Sequence, residues 1–383
     1  MAKTGDNPKK GGSPQFYLAQ KLNKCILATT YVRVVEEFMK AGLLKAPNEL
    51  SFETVPDPVL ADGDLLVRVK AATVCGTDIR IFRGRKTAGV RYPSILGHEF
   101  AGEVVVTGDH SNFACGDAVA VCPAIPCGSC DYCKRGYENI CRNLTAIGYE
   151  IDGAFAEYIR IPKRAVETQN IFKIPEGVSW EKAALVEPLS CVLNGQEKIG
   201  IEVGDTVVIL GSGPIGLLHV KLARLSGAFK IIVSEPSASR RDAAIAAGAD
   251  IVVDPSSEDL QGIVHKDTKG LGADKLIVAI GVTKLANDAL SLVRHRGRIS
   301  LFAGFSSTDM AMMDVNLIHY NELVVTGSFG LNRLQFEKSL NMIAAGQIEV
   351  DSMITHRFDL NDITAALETA EKGSAVKVAV VNA

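Results

Sequence analysis

The feature that most restricts this chain is a glycine-rich turn set between a strand and a helix. Gly211-Ser212-Gly213-Pro214-Ile215-Gly216 follows the apolar run VVIL and opens a helical segment. In such a turn the first glycine permits a tight reversal, the second lets the backbone approach a pyrophosphate, and the third lets the helix lie close to the strand. The helix N-terminus adds attraction for phosphate charge. The next strand, IIVS, ends at Glu235, 24 positions after Gly211, where an acid accepts hydrogen bonds from the adenosine ribose hydroxyls. Gly211, Gly213, Pro214, Ile215, Gly216 and Glu235 are therefore expected to bind a dinucleotide. A carboxylate at 235 repels a 2′-phosphate, which favours NAD over NADP. Arg240 and Arg241, five and six residues further on, are the groups that stand ready for a 2′-phosphate instead.

Strand and helix continue to alternate around this turn. VVIL, IIVSE, DIVVD, KLIVAI and RISLFAG are separated by helical stretches, one capped by Ser237 and ended by Gly248. That alternation predicts a parallel, doubly wound, Rossmann-type α/β domain over residues 188–328. Residues 39–187 read differently. LLVRVKAATV, GEVVVTG, DAVAV and FAEYIRI are short runs broken by Gly and Pro, which predicts a β-rich, barrel-like domain. The segment 329–383 holds a helix starting at Asn332 with Gln335 at capping-box spacing, another near Asn361, and a closing strand AVKVAVV. Residues 1–38 open with MAKTGDNPKKGGSP, rich in Gly, Lys and Pro, and are expected to be a disordered extension, the folded protein beginning at Met39. A chain of 383 residues exceeds what one core organises, at roughly 150 residues per domain.

Four of the nine cysteines fall at Cys127, Cys130, Cys133 and Cys141, a C-x2-C-x2-C-x7-C pattern. A long chain without an evident signal peptide is expected to be cytoplasmic, where clustered thiols hold metal rather than form disulfides. One tetrahedral zinc collects four such thiolates, and a closed site of this kind is structural. An iron–sulfur run also begins C-x2-C-x2-C, but its fourth cysteine comes sooner and precedes Pro, whereas Arg142 follows Cys141. The net charge of −3 excludes a nucleic-acid partner, and no apolar run is long enough for a membrane span.

Two further stretches carry ligand types: Cys75-Gly76-Thr77-Asp78 and Gly97-His98-Glu99. With the cysteine lobe and the glycine turn, in this order, the sequence from Met39 onward resembles the zinc-containing medium-chain alcohol dehydrogenases. The resemblance implies a GroES-like catalytic domain with the Rossmann-type domain inserted and a last strand returning to the first domain. It implies catalytic zinc ligands at Cys75 and His98, with Glu99 an acid that approaches or replaces a ligand. Val186-Glu187-Pro188-Leu189-Ser190 is similar to the sorbitol (iditol) and threonine dehydrogenase branches, which places Glu187 on zinc directly or through water. Thr77 matches the hydroxyl that takes the alcohol proton and passes it to the nicotinamide ribose, and Lys377 matches a base at the pyrophosphate. The implied complement is two zinc ions per chain, NAD and a homodimer or homotetramer. Cys25, Cys115, Cys122 and Cys191 are left as expected free thiols.

Two positions depart from the family pattern. Arg80 stands where many relatives end the proton relay in histidine. Gly330 follows Gly327-Ser328-Phe329 where sorbitol enzymes carry arginine, which argues against sorbitol itself. Arg80, Arg83, Arg85 and Lys86 form a basic stretch just past the first ligand, either a solvated loop or a sign of a phosphorylated or carboxylated polyol. The expected activity is hydride transfer from a small-molecule secondary alcohol, a polyol or sugar derivative, to NAD. An NADPH-dependent ketone or aldehyde reductase and a non-enzymatic nucleotide-binding redox sensor are the alternatives.

Overall fold

In the computed structural model, residues 26–27, 38–108, 112–305 and 310–382 are described. The disorder expected for the extension falls largely outside them. Two of its residues are placed: Ile26–Leu27 pair in parallel with Val106 and Thr107.

The glycine turn lies in a six-stranded, wholly parallel sheet. Its strands run, in spatial order, Ile251–Val253, Lys230–Ser234, Thr206–Leu210, Ala273–Val278, Val293–Leu301 and Val324–Gly327. The strands are apolar because both faces are covered: Val207, Val208, Ile209, Ile231, Ile232, Leu276 and Ile277 are all buried. Strand order reverses beside Thr206–Leu210, so the turn after Leu210 opens into the crevice where such sheets bind ligands. The helix Ala238–Ala247 is capped at Ser237 and ends on Gly248 at φ +111°, a left-handed conformation that glycine adopts without strain.

The other large sheet is mixed. Its main path runs Ile171–Lys173, Ala118–Val121, Glu99–Thr107, Leu65–Thr73, Lys377–Val381 and Ile354–Asp359, with Tyr158–Ile161 also paired to Leu65–Thr73. This path is open among the described residues, so the barrel-like expectation becomes a GroES-like domain whose sheet does not close. Two separate hairpin strands, Phe38–Ala46 and Glu49–Pro56, turn at Asn48 (φ 66°). The returning strand Lys377–Val381 lies antiparallel to Leu65–Thr73, which closes the first domain with the last residues of the chain.

The helix Val186–Ile199 runs through residue 187 and is buried on most sides. The chain therefore passes from one domain to the next along a packed helix. Its Asn194 donates to the carbonyls of Phe329 (3.2 Å) and Gly330 (2.9 Å), tying the return of the chain to its departure. The tail helix Arg333–Ala344 starts with the reciprocal Asn332–Gln335 capping box, and Ile363–Lys372 follows it.

Candidate active site

Three strand ends create the site. Antiparallel pairing sets Thr73 opposite Glu99, and Ala379 pairs with Thr73 from the other side. The residues just beyond these pairs, Cys75, His98 and Lys377, consequently emerge at one end of one sheet. Cys75, His98 and Glu99 each offer a ligand atom, and those atoms lie within 4.8 Å of one another. His98 and Glu99 are buried while Cys75 is half-buried. A thiolate, an imidazole and a carboxylate gathered this closely suit zinc.

Neighbouring groups hold these side chains in place. Asp78, fully buried in the short helix Gly76–Phe82, accepts from the Cys75 backbone N–H at 2.9 Å and lies 3.2 Å from His98 Nδ1. A carboxylate behind a metal-binding histidine fixes ring orientation and basicity. Burial opposes charge on His98, but Tyr149, Asp78 and Cys75 around it hold its pKa well above the ordinary imidazole value. Thr73 donates its hydroxyl to Glu99 Oε2. Lys377 Nζ lies 2.8 Å from Glu99 Oε1 and 2.6 Å from Oε2, with both side chains out of water. Lys377, expected at the pyrophosphate, also bonds the acid of the ligand cluster, because strand register carries it to that end of the sheet.

Glu187 occupies the first turn of Val186–Ile199 and stands apart from the three clustered ligand atoms. Burial, helped by the Glu99 charge, pushes its pKa up to about 7, and Cys191 Sγ donates to its Oε1 at 3.7 Å. Thr77 is half-buried in the first turn after Cys75.

The cysteine lobe is drawn tight. Cys127–Cys133, Cys130–Cys133 and Cys130–Cys141 sulfur separations are 4.0, 3.5 and 3.8 Å. Tetrahedral zinc with bonds of about 2.3 Å requires sulfurs about 3.8 Å apart, so the four sulfurs fit one ion. Backbone N–H groups of Ser129 and Cys130 lower the Cys127 thiol to about 5, which prepares a thiolate. Of the remaining cysteines, Cys122 and Cys191 are free. Cys115 is not: it is disulfide-bonded, which corrects the free-thiol expectation. A disulfide depends on two Cβ atoms coming about 4 Å apart, a tertiary matter that spacing does not reveal. Cys25 lies outside the described residues.

At the glycine turn, Gly211 has φ +94° and Gly213 caps the helix Pro214–Leu225. A Cβ on Gly216 would sit 2.0 Å from the Gly211 carbonyl oxygen, whereas one on Gly213 would meet nothing within 4 Å. The turn is closed on its inner side and open at Gly213, as a pyrophosphate cradle requires. Glu235 is buried, accepting from the backbone N–H of Ser212 (2.9 Å) and of Ser237 (3.1 Å). Arg240 donates to the Gly373 carbonyl, and Arg241 to the carbonyls of Glu235 and Pro236, with Asp254 3.1 Å away.

Residues 61–176 match the alcohol dehydrogenase GroES-like domain and residues 214–345 the zinc-binding dehydrogenase domain. L-threonine 3-dehydrogenase of Pyrococcus furiosus is 36% identical over 86% of this chain and 94% of its own length. The chain belongs to the zinc-binding alcohol dehydrogenase family. D-arabitol-phosphate dehydrogenase of Enterococcus avium is 32% identical over 89% of this chain and 96% of its own. Among solved structures, a zinc-binding dehydrogenase from Sinorhizobium meliloti bound to NADP superposes with a TM-score of 0.85 at 35% identity, covering 91% of this chain and 100% of that one. An alcohol dehydrogenase from Escherichia coli CFT073 complexed with NADH gives 0.83 at 30% identity, over 90% and 99%. The chain is accordingly a zinc-dependent alcohol oxidoreductase that uses a nicotinamide dinucleotide. No helix among the described residues is long and apolar enough to cross a membrane.

Membership accords with the gathering of Cys75, His98 and Glu99 at one end of the mixed sheet. Sequence reasoning missed Thr73, Asp78 and Tyr149. Asp78 was signalled by its place in the Cys75–Asp78 run, three residues after the thiol. Thr73 and Tyr149 had no such signal, since strand register and loop packing bring them in.

Proposed function

We propose that this chain oxidises a secondary alcohol of a polyol or sugar derivative with NAD, and holds two zinc ions, one catalytic and one structural. The observation that carries the reading is the convergence of Cys75, His98 and Glu99 ligand atoms within 4.8 Å in a family of dehydrogenases. When bound there, zinc supplies a Lewis acid that makes an alcohol more acidic and its hydride easier to release.

The protein's own groups do the rest. Asp78 orients His98, while Thr73 and Lys377 hold the Glu99 carboxyl in place beside the ligand atoms. Glu187, buried and raised to about 7, completes the ligand set directly or through water. With a dinucleotide bound, Thr77 Oγ1 would take the alcohol proton while giving up its own hydroxyl proton toward the nicotinamide ribose. Arg80 replaces the histidine that would carry it further, so the relay ends in solvent.

Support for NAD comes from the arginines. Arg240 and Arg241 are both engaged with backbone carbonyls, and Glu235 offers negative charge where a 2′-phosphate would lie. Support for a polyol or sugar derivative comes from the relatives, one of which is named for arabitol phosphate. Exposed Val315, Tyr320 and Val324 beside Val324–Gly327, an edge strand among the described residues, suit a homodimer or homotetramer.

Metal analysis combined with nicotinamide reduction over a panel of alcohols tests this. Two zinc ions per chain and NAD-dependent turnover are expected. One zinc ion and no turnover on any alcohol would overturn the reading in favour of a nucleotide-binding sensor.

A further inference from the structure

The basic stretch after Cys75 does not act as one unit. Arg83 is spent on structure: its guanidinium forks onto Glu371 at 3.0 and 2.6 Å and reaches Asn48 at 2.7 Å. Arg85 is exposed. Arg80 and Lys86 behave otherwise. Arg80 is half-buried on the helix that begins at Cys75 and carries no ion pair or side-chain hydrogen bond among the described residues. Its Nη1 lies 3.1 Å from where a Cβ on Gly304 would stand, so the guanidinium faces the loop that follows the fifth strand of the nucleotide domain. Lys86 Nζ sits 4.9 Å above the Tyr149 ring, and that ring is 5.3 Å from the ring of His98. Among the described residues, Nζ donates to the Ala88 carbonyl alone. The nearby acid, Glu150, has Oε2 engaged by the Ala146 N–H.

Two cations therefore stand near the ligand cluster with no carboxylate among the described residues bonded to either. Holding them there is unfavourable: burial lowers the Lys86 pKa, and the Arg80 charge lowers it further against Glu150. An anion that bridges both would relieve the repulsion and accept charge-assisted hydrogen bonds.

We propose that Arg80 and Lys86 form an anion subsite beside the Cys75–His98–Glu99 cluster, and that the substrate is a polyol carrying a phosphate ester or carboxylate away from the reacting hydroxyl. The inference rests on the alcohol dehydrogenase reading above. The hydrophobic and cation–π wall of Tyr149 separates the subsite from His98, so the anion occupies one end of the substrate and the oxidised carbon the other.

The test uses zinc-loaded enzyme with saturating NAD and four- to six-carbon polyols, each as the neutral alcohol, the terminal phosphate ester and the aldonate. Wild-type enzyme is expected to favour one anionic series over the neutral polyol by about 100-fold in kcat/KM, from two charge-assisted contacts. Whether ester or aldonate gains identifies the anion. Arg80→Gln and Lys86→Gln should each reduce that ratio about 10-fold, and Arg85→Gln should leave it unchanged. Calorimetric titration of the same compounds into the enzyme–NADH complex reads binding without turnover. Neutral polyols oxidised as well as their anions overturn the subsite but leave the dehydrogenase reading intact. Arg80-dependent binding without turnover supports the subsite and overturns the activity. A higher KM for NAD in Arg80→Gln with an unchanged ratio assigns the arginine to the coenzyme and overturns the subsite, as does failure of every anion to bind.

Discussion

The buried pair of Lys377 and Glu99 supports a stability measurement whose size follows from the geometry. Nζ lies 2.8 and 2.6 Å from the two carboxylate oxygens, and the side chains are 4% and 1% exposed. At that separation and an effective dielectric of about 20, the attraction is about 6 kcal/mol. Desolvation of the ammonium opposes it, and that cost vanishes in Lys377→Met, which keeps most of the methylene stem. What remains is a carboxylate left buried with only the Thr73 hydroxyl, so the variant should lose about 3–5 kcal/mol. Urea unfolding of the zinc-loaded protein, followed through the single tryptophan, Trp180, measures it. Adding Glu99→Gln removes the stranded charge, so the double variant should recover at least about 2 kcal/mol relative to additivity. The sign with pH is also fixed. Burial opposes the lysine charge, but Glu99 and Cys75 outweigh it and raise the Lys377 pKa. Its contribution is thus complete below the unfolded lysine value of about 10.4 and is lost only as pH rises through the higher folded value. The difference between wild type and Lys377→Met should stay constant from about pH 6 to about pH 9. A cost under about 1 kcal/mol, or strict additivity in the cycle, would refute the buried-pair account.

Three other outcomes are expected. Glu235→Ala should shift the NAD/NADP ratio of kcat/KM toward NADP by about 10-fold or more, since it removes both ribose acceptor and repelling charge; an unchanged ratio rules out the NAD assignment. Cys130→Ser should lower metal content by one zinc per chain and open residues 127–141 to mild proteolysis, and unaltered metal content would mean that the lobe is not a zinc site. In metal-free protein, Glu187 titrates near 7 because of burial, so its contribution is present below the unfolded glutamate value of about 4.3 and is lost as pH rises through about 7. Thermal unfolding of the metal-free chain should therefore occur at progressively lower temperature between about pH 5 and about pH 8, and Glu187→Gln should flatten that slope below about pH 6, where His98 does not yet contribute.

The parallel domain was legible because its signals are local. Gly211 needs a positive φ, Gly216 has no room for a Cβ, and Ser237 and Gly248 mark both ends of one helix. The same is true of Cys127, Cys130, Cys133 and Cys141, which lie within fifteen residues and need only one short loop to meet. The site around His98 was half legible. Cys75, His98 and Glu99 were found through their motifs, but what holds them came from pairings across hundreds of residues: Thr73 with Glu99, and Lys377 with the same acid from the other end of the chain. No pattern along the sequence encodes strand register at that distance, so Lys377 was read by analogy with relatives and its bond to Glu99 was not foreseen. Cys115 was missed for a similar reason. The basic stretch shows the limit most plainly. Four cations within seven residues look alike in sequence, yet packing against Glu371 neutralises Arg83, solvent takes Arg85, and Arg80 and Lys86 are left half-buried without a bonded carboxylate among the described residues. Composition counted the charges; only the fold decides which of them still has one to offer a substrate.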